Sequence, residues 1–90
     1  MRQIDRHSKF KRDYKREKKS DPKLDQKLMP VLEMLITDAM LPTRLFDHPL
    51  SGDWNGFRDC HIKPDLVLIY AKSEGVLSLA RLGSHSELFG

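Results

Sequence analysis

Five consecutive apolar residues, Leu66-Val67-Leu68-Ile69-Tyr70, form the most apolar run in this 90-residue chain. Successive side chains of a strand point to opposite faces. A run with no polar alternate needs cover on both faces, which makes Asp65 to Lys72 a central strand. A chain of this length holds one domain with one modest core. The run is entered through Arg58-Asp59-Cys60-His61-Ile62-Lys63-Pro64-Asp65. Titratable groups crowded at the mouth of a buried strand call for a chemical reason.

The other elements arrange themselves around that strand. Residues 2–6 can form a short strand. Ser8 to Lys19 reads as a helix, with Ser8 as its cap and Phe10 and Tyr14 on one face. Asp21 is a good N-cap and Pro22 a good first residue for a second helix over about 22–39. Leu24, Leu28, Val31/Leu32, Leu35/Ile36 and Ala39 keep its helical spacing. Pro30 lies inside it, so the helix is kinked there or begins in earnest there. Arg44 to Asp53 reads as a loop and Trp54 to Ile62 as a strand. Ser73-Glu74-Gly75 is a hairpin turn. Val76 to Leu82 is the last strand, Gly83 breaks it, and residues 84–90 make a tail or a helical turn. The expected fold class is α+β, with an N-terminal strand and a helical hairpin on a small, mostly antiparallel four-stranded sheet, all in one domain spanning 1–90.

Charge is distributed unevenly. The net charge is +3, yet residues 1–23 hold ten Lys/Arg against four Asp/Glu. Such a cluster suits a polyanion, although a solvated helix face is the common alternative. Cys60 is the only cysteine, so no intramolecular disulfide can form. The N-terminus lacks an apolar signal region, and no run approaches the ~20 apolar residues of a membrane span. A cytoplasmic protein without membrane association is expected.

The candidate chemistry lies in His48, His61, Asp65, Arg81 and His85. Metal-free RNA cleavage needs a base for the ribose 2′-OH, an acid for the leaving 5′-oxygen and a cation for the phosphoryl charge. Histidine suits the first two roles and arginine the third. Asp65 can orient a histidine or act as the base. His61 and Asp65 flank a strand–turn–strand connection and are expected to be neighbours. Taken singly, each is more often a loop, turn or ion-pair residue. A zinc site is the rival, but the spacings match no zinc motif. Cys60 should face away from His61 as a buried thiol. Trp54 and Phe89 could stack on bases or simply pack.

The residues His48-Pro49-Leu50, Gly52 to Tyr70 and Arg81 to Phe89 carry a further signal. Their patterns, DHPL, G-x-W-x-G-x-R-[DE]-x-H, P-D-[WL]-[VIL]-L-I-Y and R-x-G-[ST]-H-[SA]-x-L-F, resemble those of YafQ toxins in the RelE/ParE superfamily. The resemblance covers the second half closely and the first half in element order and basic character. It implies a RelE-like fold and a ribosome-dependent endoribonuclease of a type II toxin–antitoxin pair, cutting mRNA in the ribosomal A site without a cofactor or metal. It implies a DinJ-like antitoxin that occludes the site. By motif, His48, His61, Asp65 and His85 would be catalytic, with Arg81 gripping phosphate and Trp54, Phe89 and Arg58 meeting substrate. Lys9, Lys11, Arg12, Lys15, Arg16, Lys18 and Lys19 would face mRNA and the ribosome's 16S rRNA. The alternative is a non-catalytic nucleic-acid or protein-binding module with structural histidines.

Overall fold

The computed structural model describes residues 1–90. Its elements are β1 (Gln3–Arg6), α1 (Ser8–Ser20), α2 (Asp25–Ile36), β2 (His48–Pro49), β3 (Arg58–Lys63), β4 (Leu66–Ser73), β5 (Val76–Gly83) and α3 (His85–Phe89). The α+β class is as expected, but the sheet has five strands, ordered β1-β5-β4-β3-β2. The additional strand is β2, two residues long, which pairs His48 with Asp59 and Pro49 with Arg58. It is too short to show alternation, and its proline is tolerated because the strand lies at an edge. β1 runs parallel to β5, while β3, β4 and β5 form the expected antiparallel meander.

Strand alternation divides the sheet into two unlike faces. Cys60, Ile62, Leu68, Tyr70, Leu79 and Leu82 join Phe10 of α1 and Leu24, Leu28, Val31, Leu32 and Leu35 from α2 and its entrance in the main core. The opposite face carries a smaller cluster of Val67, Ile69, Ala80 and Leu88, flanked by Leu50, Trp54 and Phe57. β4 is thus covered on both sides, as its apolar run requires. The second face is closed only by α3 and the 50–57 loop, which leaves part of it open beside the histidines.

The helix boundaries depart from the sequence reading. Ser8 is the first helical residue rather than the cap; His7 precedes the helix and makes no side-chain cap bond. The His7 N–H instead bonds Leu79 O, so the helix start is held by the sheet. Asp21 accepts from Lys23 N in a turn and pairs with Lys63. The second helix therefore starts at Asp25, three residues after Pro22, and ends at Ile36. Pro30 neither ends nor starts it. Pro30 and Gln26 are exposed, so water can reach the Gln26 carbonyl that loses its partner. Trp54 lies in a 3-10 turn, Gly52–Trp54, and the strand begins only at Arg58.

One carboxylate joins α1 to the sheet. β1 pairs with Val76–Leu79 and stops, leaving the outer edge of β5 open beyond it. Side chains of α1 fill the vacancy: Asp13 Oδ2 accepts from Leu82 N at 3.0 Å, and Arg16 donates to Leu82 O at 3.1 Å. Asp13 also accepts from Arg81 Nε at 2.7 Å and from Arg16 Nη1 at 3.2 Å. Burial alone would raise the Asp13 pKa. The bonds from Arg81 and Leu82 N and the two guanidinium charges outweigh it, and the carboxyl sits below its ordinary value. We expect Asp13→Ala to lower the unfolding free energy by about 3 kcal/mol in urea titrations at pH 7. A carboxyl with a depressed folded pKa contributes fully above its unfolded value, ~3.9, and the contribution fades as pH falls through the folded value. The gap between parent and variant should therefore close on acidification below about pH 4.

Candidate active site

His48, His61 and His85 converge on the sparsely covered face of the sheet, around a carboxylate that is not Asp65. The pairings His48↔Asp59, Asp59↔Ile69 and Ile69↔Arg81 run as one row across four strands. Asp59 lies in that row and is 1% exposed. Its Oδ1 is 3.1 Å from His48 Nδ1. The same nitrogen is 2.7 Å from Phe46 O. A carbonyl oxygen can only accept, so Nδ1 carries the hydrogen and Nε2 of the neutral ring holds the lone pair. The N–H is directed at Phe46, and Asp59 Oδ1 is left without a well-aligned bond. Desolvation pushes the Asp59 carboxyl above its ordinary pKa, while His48, His61 and His85 pull it back in part.

The other two histidines form a ring pair. The His61 and His85 centroids are 5.3 Å apart; Phe46 meets His61 edge-on at 5.5 Å, and Phe89 lies 5.4 Å from His85. His61 alternates with Asp59 on β3 and so shares its face. His85 opens α3, five residues fixed by a capping box between Ser84 and Glu87 and by Leu88 buried in the smaller cluster. Phe89, one turn after His85, is 40% exposed. The ring is thus partly open to solvent at the edge of the site.

Other candidates lie elsewhere. Asp65 is exposed in the β3–β4 turn and makes no ion pair with His61; the histidine pairs are His7–Asp5 and His48–Asp59. The expected closeness of His61 and Asp65 is not realised as a contact, because the turn carries Asp65 past the strand end. Arg58 alternates onto the helix-covered face and binds Asp47 at 3.0 Å, where Tyr70 OH also donates to Asp47. Trp54 packs edge-on against Phe57 at 5.4 Å and walls the smaller cluster. Arg81 ends the cross-strand row that holds Asp59 and is bound there by Asp13. Of the α1 cations, Arg16 pairs with Asp13, Glu17 and Glu87, and Lys18 with Asp25. Lys9, Lys11, Arg12, Lys15 and Lys19 are exposed.

Residues 2–90 match the family described as the bacterial toxin YafQ of type II toxin–antitoxin systems. The chain belongs to the YafQ toxin family. It is 43% identical over 65 residues to the mRNA interferase toxin YafQ of Escherichia coli K12, covering 71% of each chain. It also superposes on the toxin of the E. coli DinJ–YafQ complex with a TM-score of 0.89 at 36% identity, over the whole of both chains. A copper-bound mutant toxin from Helicobacter pylori gives 0.94 at 38%, covering 99% of this chain and all of the other.

The copper-bound relative raises the question of a metal here. No group of three His, Cys, Asp or Glu side chains is arranged to hold one ion. His48 is engaged by Phe46 O and Asp59, and the other two histidines face each other as rings. As arranged, the residues do not fit a metal centre. Asp59 is the site residue that sequence reasoning passed over. Its signal was available: it alternates with His61 and falls opposite His48, but the second relation needs β2, which is invisible as a strand.

Cys60, as expected, faces the main core. It is 0% exposed, and burial, with Asp47 and Asp59 nearby, pushes its thiol up to about 12. The thiolate is the reactive form. We expect Ellman's reagent to leave Cys60 unlabelled at pH 8 in the native state and to label it fully in urea. Rapid native labelling would show that this strand opens.

Proposed function

We propose that the protein is an mRNA interferase toxin that cleaves translated mRNA in the ribosomal A site by 2′-OH attack, using histidine and aspartate and no metal. The observation that carries this is the gathering of His48, His61 and His85 around buried Asp59. The family match and the curated name of the E. coli relative support the same activity. The place of action would be the cytoplasm, where translation runs. The partner would be a DinJ-like antitoxin, as in the E. coli complex. The basic face of α1 would meet mRNA and 16S rRNA.

His48 fits the base. Its Nδ1–H is fixed by Phe46 O, so Nε2 is the free acceptor. When Nε2 takes the 2′-OH proton, the imidazolium gains the Asp59 carboxylate 3.1 Å from its other nitrogen. This is the orienting and charge-stabilising role of a buried carboxylate behind a catalytic histidine. The 2′-oxygen bonds to phosphorus, and the P–O5′ bond breaks. The 5′-oxygen leaves with a proton from the His61–His85 pair, giving a 2′,3′-cyclic phosphate and a 5′-hydroxyl. Arg81, pinned by Asp13, holds the phosphoryl oxygens. Exposed Asp65, free of ion pairs, would have to reach the RNA from the β3–β4 turn to act as a further proton acceptor, and Phe89 offers a stacking face. Trp54 and Arg58 support the walls rather than the reacting atoms.

Cleavage of a translated mRNA, mapped by primer extension on ribosomes, tests the reading. We expect His85→Ala and His48→Ala each to slow cleavage by about a hundredfold or more, and EDTA to leave the parent rate unchanged. Unchanged cutting by both variants would make the histidines structural and favour the binding module. Loss in EDTA restored by copper or zinc would bring a metal into the reaction. Asp59→Asn separates function from stability. Removing a buried charge with a raised pKa should keep the urea midpoint at or above the parent's at pH 7.5, while cleavage falls.

A further inference from the structure

Helix α1 presents Lys9, Arg12, Asp13 and Arg16 at spacings of three, four and seven residues, which places them on one face. That face lies against β5, and with Arg81 the four residues line a concavity of about 310 Å³ that contains no hydrophobic residue. Four cations thus surround one carboxylate. The carboxylate is already committed: Asp13, 3% exposed, takes hydrogen bonds from Arg81, Arg16 and Leu82 N. It fixes both guanidiniums without consuming all their donors. Arg81 uses Nε and Nη2 on Asp13, which leaves Nη1 for another acceptor. Lys9 and Arg12 have no carboxylate partner at all.

Arg16 is set by backbone as well. It lies across β5 at Gly83, where an added Cβ would be 3.3 Å from Arg16 Nη2 and 3.3 Å from Glu87 Oε1. Glu87 Oε2 lies 3.5 Å from the same Nη2, and Glu17 meets Nε at 3.1 Å. These acids draw charge from Arg16, so the unneutralised cations are Lys9, Arg12 and part of Arg81. Through Glu87 the concavity is tied to α3, the helix that carries His85. A strand of RNA crossing the histidines therefore has a preformed anion seat immediately beyond α3.

We propose that this concavity seats a backbone phosphate of single-stranded RNA next to the cleaved one and sets the register of the strand over the histidines. The proposal rests on the RNA reading of the site. It separates the α1 cations into two sets: Lys9 and Arg12, backed by Arg16, seat the neighbouring phosphate beside Arg81, which holds the cleaved one, whereas Lys11 and Lys15 lie on another stripe and supply only diffuse charge.

The test uses Lys9→Gln/Arg12→Gln, two exposed positions outside the Asp13 network, and Lys11→Gln/Lys15→Gln as an equal-charge control. Both proteins are checked for parental melting temperature. The probe is a fluorescent twelve-nucleotide RNA, 2′-O-methylated throughout so that it cannot be cut. At about 0.1 M salt the Lys9/Arg12 pair should weaken binding about tenfold and lower the salt slope by about 0.7 to 1.4, the value for one or two lost phosphate contacts on a single strand. The control should lose less than about threefold. Equal losses in the two doubles, no RNA binding by the parent, or displacement of RNA by equimolar inorganic phosphate would each overturn the seat. If His85→Ala cuts as the parent does while the Lys9/Arg12 pair still loses RNA, the catalytic reading fails and the seat stands.

Discussion

The Asp13 carboxylate is the contact on which both the fold and the site depend. It takes the place of a missing strand at the edge of β5, binding Leu82 N where β1 has ended. An open strand edge is a template for unwanted pairing, and natural proteins cover it. Here the cover comes from side chains of a helix that is otherwise too charged to bury more than a narrow stripe. The same oxygens hold Arg81. Anchoring α1 and orienting Arg81 are therefore one interaction, and neither can be altered alone.

Alternation along three strands then decides which residues meet. On β3, Arg58, Cys60 and Ile62 turn toward the helices, and Asp59 and His61 turn away. Arg58 secures Asp47, which also receives the Tyr70 hydroxyl. Asp47 immediately precedes His48, so the next side chain is delivered to the Asp59 side. The core-facing network and the histidine cluster are the two sides of one short pairing, β2 with β3. The second apolar cluster is small, and its cover is a five-residue helix. That economy leaves the imidazoles reachable while Leu88 still pins the helix that carries His85.

Features that repeat along the chain were legible in the sequence. The unbroken run at Leu66 to Tyr70 located the central strand, and helical spacing found both long helices. The facing of Cys60 away from His61 followed from period two. Features that depend on distant partners were not legible. A two-residue strand has no period, so β2 was read as loop, and with it went the meeting of His48 and Asp59. Proline inside a helix signals a kink or a fresh start, but an exposed carbonyl at Gln26 can turn to water, and α2 spans Asp25–Ile36 with Pro30 inside it. Ser8 and Asp21 looked like caps, yet the sheet and a local turn took over those roles. Sequence proximity favoured Asp65 as the partner of His61, whereas register favours Asp59 as the partner of His48.

This exchange of carboxylates sharpens the division of labour among the histidines. The imidazole that Asp59 contacts is that of His48. His48 is therefore the ring whose tautomer is fixed and whose charged form has a partner, both of which suit it to receive a proton. His61 and His85 face each other with no carboxylate between them. On the proposed reading, a proton carried by this pair has no aspartate to hold it and passes to the leaving oxygen. The asymmetry follows from where one strand pairing ends. On the proposed reading, the base lies on the edge strand side and the acid on the side of α3, with the phosphate between them and Arg81.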